Sequence, residues 1–516
     1  MIQKQFVGML VCLFLIAAVA SAQTIIPGGD VSGTWDVLGS PYLIEGDITV
    51  PSGETLNIKP GVEVIFQSWY KLTVNGYLEA VGTASNLILF TAPEPGPPGP
   101  GPGWLGIRFI NAPDSSHLSF CIIEHGRARA AAPYDRGGGI YCENSNPVIS
   151  DSIIRENFVS DKGGAIYCLQ SAPIISGNII IDNLVGYGAS GSGGGIYCQN
   201  SNPQIIGNII SENEVSVFGG FGPARGLGGG IFLDNSNATI SNNIINENNV
   251  HSEGNAGTYA RGGGIYCGHS APQIIGNTIS GNAVTAFFDA GDGGGIYISY
   301  SNPTIVNTIV EGSTNGGIYF YESQDAYVAY GDFNNNNDGD FTGDNIPPGL
   351  GEIVTVNANG DPCDVNFNIF LSPMFINPTG GDYHLEDLSH CIGAGIITPE
   401  APPYDFEGDP RPNPPDSYPD IGADENPNDK PSSINGAING YVTNIAGGPL
   451  RALVIAVNDK TKVKAVTDVD GYYEILDLEA GIYWVLCIKK GYKPGIKKAE
   501  VKSGETTTVG FQLLPQ

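Results

Sequence analysis

Positive charge is scarce in this chain. It has 23 lysines and arginines against 53 acidic residues, a formal net charge of −30. The shortage is regional. From Gly436 onward there are ten basic and eight acidic residues, whereas from Gln5 to Asn435 there are twelve and 45. So acidic a region repels polyanions, which argues against nucleic acid and acidic glycans as partners and leaves neutral sugars, cations and proteins. Between Leu72 and Phe320 the basic inventory is Lys162 and seven arginines. Arg127, Arg129 and Arg136 lie close together with no acidic cluster beside them and read as a solvated loop. Paired metal ligands are missing too: the nine cysteines form no CxxC pair and have no histidine at ligand spacing, so no zinc site is expected. His269, in "CGHS", stands alone and reads as a surface turn residue. Long apolar runs are absent after the first residues. Lys4, the run from Val7 to Val19 and Ala20-Ser21-Ala22 have the form of a secretory signal cut after Ala22. No other stretch approaches the ~18 apolar residues of a membrane span. The expectation is an exported chain, secreted or held at the cell surface, with no transmembrane segment once mature.

What is abundant is glycine, in a recurring phrase. "GGGIYC" at Gly137 returns at Gly193 and Gly262, and in the variants "GGAIYC" at Gly163, "GGGIFL" at Gly228 and "GGGIYI" at Gly293. Counted from Ile140, Ile166, Ile196, Ile231 and Ile265, an asparagine follows 17 residues later: Asn157, Asn183, Asn213, Asn248 and Asn282. The sixth repeat, from Ile296, has Ser313 there instead. From each asparagine to the next isoleucine the spacing varies, as 9, 13, 18, 17 and 14. A rigid part of constant length plus one elastic loop is the signature of a solenoid whose insertions fall on one side. Within the rigid part the apolar residues come in short, β-branched, alternating runs, separated by "NSNP"-like turns. Three short strands per coil, stacked in parallel about 4.8 Å apart, make a parallel β-helix. The glycines precede a strand rather than a helix, so they lack the context of a phosphate loop; their expected role is to turn the backbone through positive φ. The cysteine column, Cys142, Cys168, Cys198 and Cys267, exchanges with Leu233 and Ile298 and therefore reads as interior.

The pattern "GGxIYC…NSxPxIxxNxIxxN" resembles the right-handed β-helix repeats of the pectin-lyase-like superfold, and more loosely the GGA-I/FxxN repeats of chlamydial polymorphic membrane proteins. From Gly436 the composition changes, and alternating strands suggest a small β-sandwich. The run "VTDVDGYYEILDLEAGIYWVLCIKKGYKP" resembles the carboxypeptidase regulatory-like domain, a transthyretin-like accessory module that implies no catalysis. The expected organisation is a signal peptide over 1–22, a β-helix with its caps over 23–404, a closing segment and linker over 405–435, and the sandwich over 436–516.

Candidate site residues follow from these patterns. In each coil the residue after the isoleucine points outward, giving an aromatic column: Tyr141, Tyr167, Tyr197, Phe232, Tyr266 and Tyr297. If exposed, it could stack on sugar rings; alternatively its rings stack on one another. The variable loops carry aromatic and charged residues, among them Phe218, Arg225, Phe287 and Phe288, and loops held on a rigid scaffold are where function tends to sit. Asp338, Asp340 and Asp344 alternate as calcium ligands do, without a full calcium loop; calcium is the one cofactor suggested. Cys363 and Cys391 fall outside the interior column and are candidates for a disulfide in an exported chain. Neither a glycosidase carboxylate pair nor a lyase base emerges. The sequence therefore favours an exported non-catalytic surface or adhesion-type protein, with a glycan or a cell-surface protein as partner, over a polysaccharide lyase or glycoside hydrolase. A purely structural surface component ranks last.

Overall fold

The computed structural model describes residues 23–93, 102–128, 134–287, 291–431, 436–458 and 461–516. The signal peptide expected over 1–22, Arg129 and Phe288 lie outside these residues. The chain forms two compact units, Met1–Pro373 with Ala394–Glu425, and Met374–Gly393 with Asn426–Gln516. Among the described residues no helix is long and apolar enough to cross a membrane.

The first unit is the expected solenoid. A typical coil runs through Ile166–Leu169, Ile174–Ser176 and Ile179–Ile181, and each strand pairs in parallel with its counterpart one coil on. The strands stack into three long sheets, here named sheets 1, 2 and 3 in that order, of twelve, eleven and twelve strands. The register is in phase: Ile166 faces Ile196, Tyr167 faces Tyr197 and Cys168 faces Cys198. Like residues therefore form interior columns. Ile140, Ile166, Ile196, Ile231, Ile265 and Ile296 are all fully buried, as are the cysteines interleaved with Leu233 and Ile298. Each such isoleucine contributes about 1.5–3 kcal/mol relative to exposure. Burial raises the thiol of Cys267 to about 12, as desolvation of a thiolate demands.

The glycine phrase is a turn. Gly137, Gly163, Gly193, Gly228, Gly262 and Gly293 all have φ between 61° and 69°. The second glycine is needed for a different reason: a Cβ on Gly164 would lie 2.2 Å from the carbonyl oxygen of Gly194 in the next coil. Two buried asparagine columns satisfy the polar backbone at other corners. The Nδ2 of Asn183 donates to the Oδ1 of Asn213 at 2.9 Å and to the carbonyl of Ile154 at 2.9 Å. A second column, Asn178, Asn208, Asn243 and Asn277, repeats the arrangement.

The closing segment is more than a linker. Residues 394–425 return along the solenoid as a strap over the corner between sheets 2 and 3. Asn307 pairs with the backbone of Ile396 through both amide atoms. Buried Arg411 reaches Asn242, the carbonyls of Gly422 and Asp424, and Glu425. Cys363 is a free, buried thiol, so the expected disulfide is not formed.

The second unit contains a two-sheet β structure. Gly436–Asn444 pairs antiparallel with Tyr472–Leu478 and parallel with Thr506–Thr508 and Phe511–Leu513. Lys462–Val466, Leu453–Val457, Gly481–Ile488 and Gly495–Val501 form an antiparallel sheet. Ile438, Val454, Tyr483, Val485, Cys487 and Phe511 pack in the core of this unit.

Candidate functional site

The variable segments between the asparagine column and the glycines are not loose loops. They contain two further parallel sheets, which flank the solenoid as a lateral annex. One has six strands, including Leu184–Gly186, Glu214–Phe218, Asn249–Glu253 and Ala283–Ala286; the other has four, including Arg225–Leu227 and Tyr259–Arg261. The annex has its own core of Val159, Val185, Val215, Val217, Val250, Ala260 and Val284. Its sequence signal was a valine two residues after each asparagine, short enough to pass as loop.

The annex changes the reading of the aromatic column. Tyr141, Tyr167, Tyr197, Phe232 and Tyr297 are buried, and Tyr266 is half-buried, rather than exposed. The rings stack on one another: Tyr167 on Tyr197 at 5.0 Å, Tyr197 on Phe232 at 4.7 Å and Phe232 on Tyr266 at 4.8 Å. Cations lie over them, Arg136 over Tyr167 at 5.7 Å, Lys162 over Tyr197 at 5.0 Å and Arg261 over Tyr297 at 4.9 Å. Burial raises the phenol of Tyr167 to about 12. The outward parity of these residues was right, but the segments returning from the annex cover them, so their faces are not available to a sugar ring. Two of the arginines read as a solvated loop are structural: Arg127 is fully buried, and Arg136 pairs with Asp161 at 3.3 Å. Arg225 lies over the ring of Tyr259 at 5.7 Å.

The sequence suggests calcium on Asp338, Asp340 and Asp344. Among the described residues no group of three or more His, Cys, Asp or Glu side chains converges to hold a metal ion. The carboxylate of Asp340 turns inward and accepts from Asn336 Nδ2 at 2.8 Å, and burial raises its pKa.

What remains exposed is the outer face of the six-stranded sheet. Alternation points Val215 and Val217 inward and Glu214, Ser216 and Phe218 outward; on the next strand His251 and Glu253 point outward. A pocket of about 340 Å³ lies on this face, lined by Leu184, Tyr187, Glu214, Ser216, Phe218, His251 and Glu253 among others. Tyr187, Phe218 and Phe287 are 69%, 60% and 64% exposed, high values for aromatic side chains. Phe218 is in register with Glu253, and the Phe287 amide bonds to the Ser252 carbonyl on the same strand. The geometry sets a chemical limit. Glu214 and Glu253 lie on neighbouring strands four residues apart in register, roughly 14 Å at strand spacing. A glycosidase pair needs about 5–10 Å, so these two carboxylates are not one. The face offers aromatic rings, two carboxylates, a hydroxyl and an imidazole on a rigid support, which suits binding.

Comparison with known proteins agrees with the architecture. The family model described as "Right handed beta helix region" matches residues 104–286, and that described as "Carboxypeptidase regulatory-like domain" matches residues 437–514. No curated protein matches. Among solved structures, the Bacillus anthracis TIE protein is 28% identical over 16% of this chain and 17% of its own, with a TM-score of 0.15. GBS52, the minor pilin of the Gram-positive pathogen Streptococcus agalactiae, is 18% identical over 17% of this chain and 47% of its own, with a TM-score of 0.14. Likenesses so partial bear on neither fold nor function. The two family models and the stacked parallel sheets together identify the chain as a right-handed parallel β-helix followed by a carboxypeptidase regulatory-like domain.

Proposed function

We propose that the protein is an exported, non-catalytic surface or adhesion-type protein that binds its ligand, a neutral glycan, on the outer face of the six-stranded annex sheet. The observation that carries this reading is the set of exposed rings on this part of the annex, Tyr187 and Phe218 at the pocket and Phe221 and Phe287 on the neighbouring segments. Exposed aromatic side chains cost solvation and suit stacking on the apolar faces of sugars. The strong negative charge favours neutral over acidic glycans.

A glycan array probed with the full chain and with a Phe218→Ser/Phe287→Ser variant tests this. Both side chains are exposed, so the variant keeps the wild-type melting temperature; the expected result is a neutral-glycan signal that falls by about tenfold or more, as loss of aromatic anchors produces. Parallel reducing-end and lyase assays are expected to show no turnover. Glycan binding undiminished in the variant, no binding to any glycan, or turnover of a bound polysaccharide overturns the proposal.

A further inference from the structure

The strand Gly481–Ile488 has large apolar residues facing both ways. Tyr483, Val485 and Cys487 are buried inside their unit, while Ile482, Trp484 and Ile488 on the other side are 51%, 52% and 41% exposed. A strand apolar on both faces is the mark of a strand covered on both faces. The neighbouring strands extend the patch: register places Ile496 beside Leu486, and Val466 and Ile488 on either side of Leu453. Val466 is 58% and Ile496 61% exposed. Lysines border this face: Lys498 pairs with Trp484, Lys462 with Val457 and Lys464 with Ile455. An exposed apolar sheet face with a basic rim marks an interaction surface.

We propose that this face docks on a second copy of the chain, against an acid-bordered isoleucine stripe on sheet 3 of the solenoid. That stripe is the in-register row Ile153, Ile179 and Ile209, whose side chains are partly exposed, Ile179 by 38%. Asp151 stands at one corner beside it, and Glu156, Asp182 and Glu212 at the other. Two facts favour this occupant. The charges complement on balance: a rim of Lys462, Lys464 and Lys498 with one acid, Glu500, meets a border of Asp151, Glu156, Asp182 and Glu212 with one base, Arg155. The same row is also an established contact surface further along, where the chain's own strap covers it. There Ile244, Thr278 and Ile309 are buried, and Ala423 donates its amide to Thr278 Oγ1. An anionic membrane is the weaker match, since a net charge of −30 opposes its approach. The two patches differ, so the contact is head-to-tail and builds chains or rings rather than a symmetric dimer.

Sedimentation velocity on the full chain from micromolar to millimolar concentration tests this. Wild type is expected to sediment faster as concentration rises, less so at high salt. Trp484→Ser/Ile496→Ser and Ile153→Ser/Ile179→Ser alter exposed or partly exposed side chains; each is expected to melt as wild type does and to stay monomeric. Mixing the two is expected to restore a dimer and nothing larger, because each supplies the patch the other lacks. A monomeric wild type, association that survives either double substitution, or mixing without a dimer overturns the proposal. So does Trp484-dependent binding to phosphatidylglycerol vesicles in place of self-association.

Discussion

At the scale of single residues, Ser313 shows what the asparagine column does. From Asn157 to Asn282 each side-chain amide bonds to the next one at about 3.0 Å. At Ser313 the side chain is too short; its Oγ is buried without a hydrogen-bond partner, and the Nδ2 of Asn282 bonds only to the Ile245 carbonyl. Ser313 is bonded one coil on through its backbone amide, to the Oδ1 of Asn336. Ser313→Asn should reconnect the column across this gap and raise stability by about 0.5–1.5 kcal/mol, the usual net value of a hydrogen bond. Denaturant unfolding checks it, and an unchanged or lower midpoint contradicts it. The 17-residue spacing made this column legible in the sequence. The second column is the earlier asparagine of the "IxxNxIxxN" pattern, flanked by Ser152 at one end and Thr308 at the other.

At the scale of elements, the corner after four successive strands of sheet 3 carries an acidic ladder. Glu156, Asp182, Glu212 and Glu247 all adopt positive φ, with values from 53° to 55°. Stacking holds like charges one coil apart. The pKa of Glu212 is raised by partial burial and then by Asp182 and Glu247, and that of Asp182 by burial and then by Glu156. The sign follows from linkage. A carboxyl whose folded-state pKa is raised binds its proton more tightly in the folded chain, so it favours folding at acid pH, and that contribution is lost as pH rises through the folded pKa. Glu212→Gln should therefore raise the melting temperature at pH 7 by a few degrees or less, and the gain should shrink as pH falls below about 4, where model carboxyls protonate. Melting curves across pH check this; a gain that grows on acidification contradicts it. The annex sheets show where sequence reading stopped at this scale. Strand alternation correctly turned the tyrosines outward and the cysteines inward. It could not show that outward meant covered, because that depends on segments of varying length whose strands are only two to five residues long.

At the scale of the whole molecule, one coil is the unit of construction, and its parts divide the work. Sheets 1, 2 and 3 supply the core, the glycine and asparagine corners allow close stacking, and the annex strands carry what varies. The fold was legible because every coil repeats the same physical solution. The candidate binding face was legible only in part: Phe218 and Phe287 stood out as aromatic residues in variable segments, whereas Glu214, His251 and Glu253 gained meaning once register placed them on one surface. If the coil is the unit, removing Ile196 through Gly230 joins Gly195 to Ile231 and leaves Ile166 to stack on Ile231, an isoleucine on an isoleucine, as the native chain stacks Ile196. Each coil contacts mainly its neighbours, so the shortened solenoid should still fold. The most direct test is a thermal melt of this deletion followed by far-ultraviolet circular dichroism. A β-type spectrum with one cooperative transition, slightly below that of the full chain, is the predicted result; loss of the β signal, or a broad melt without a transition, would contradict the account.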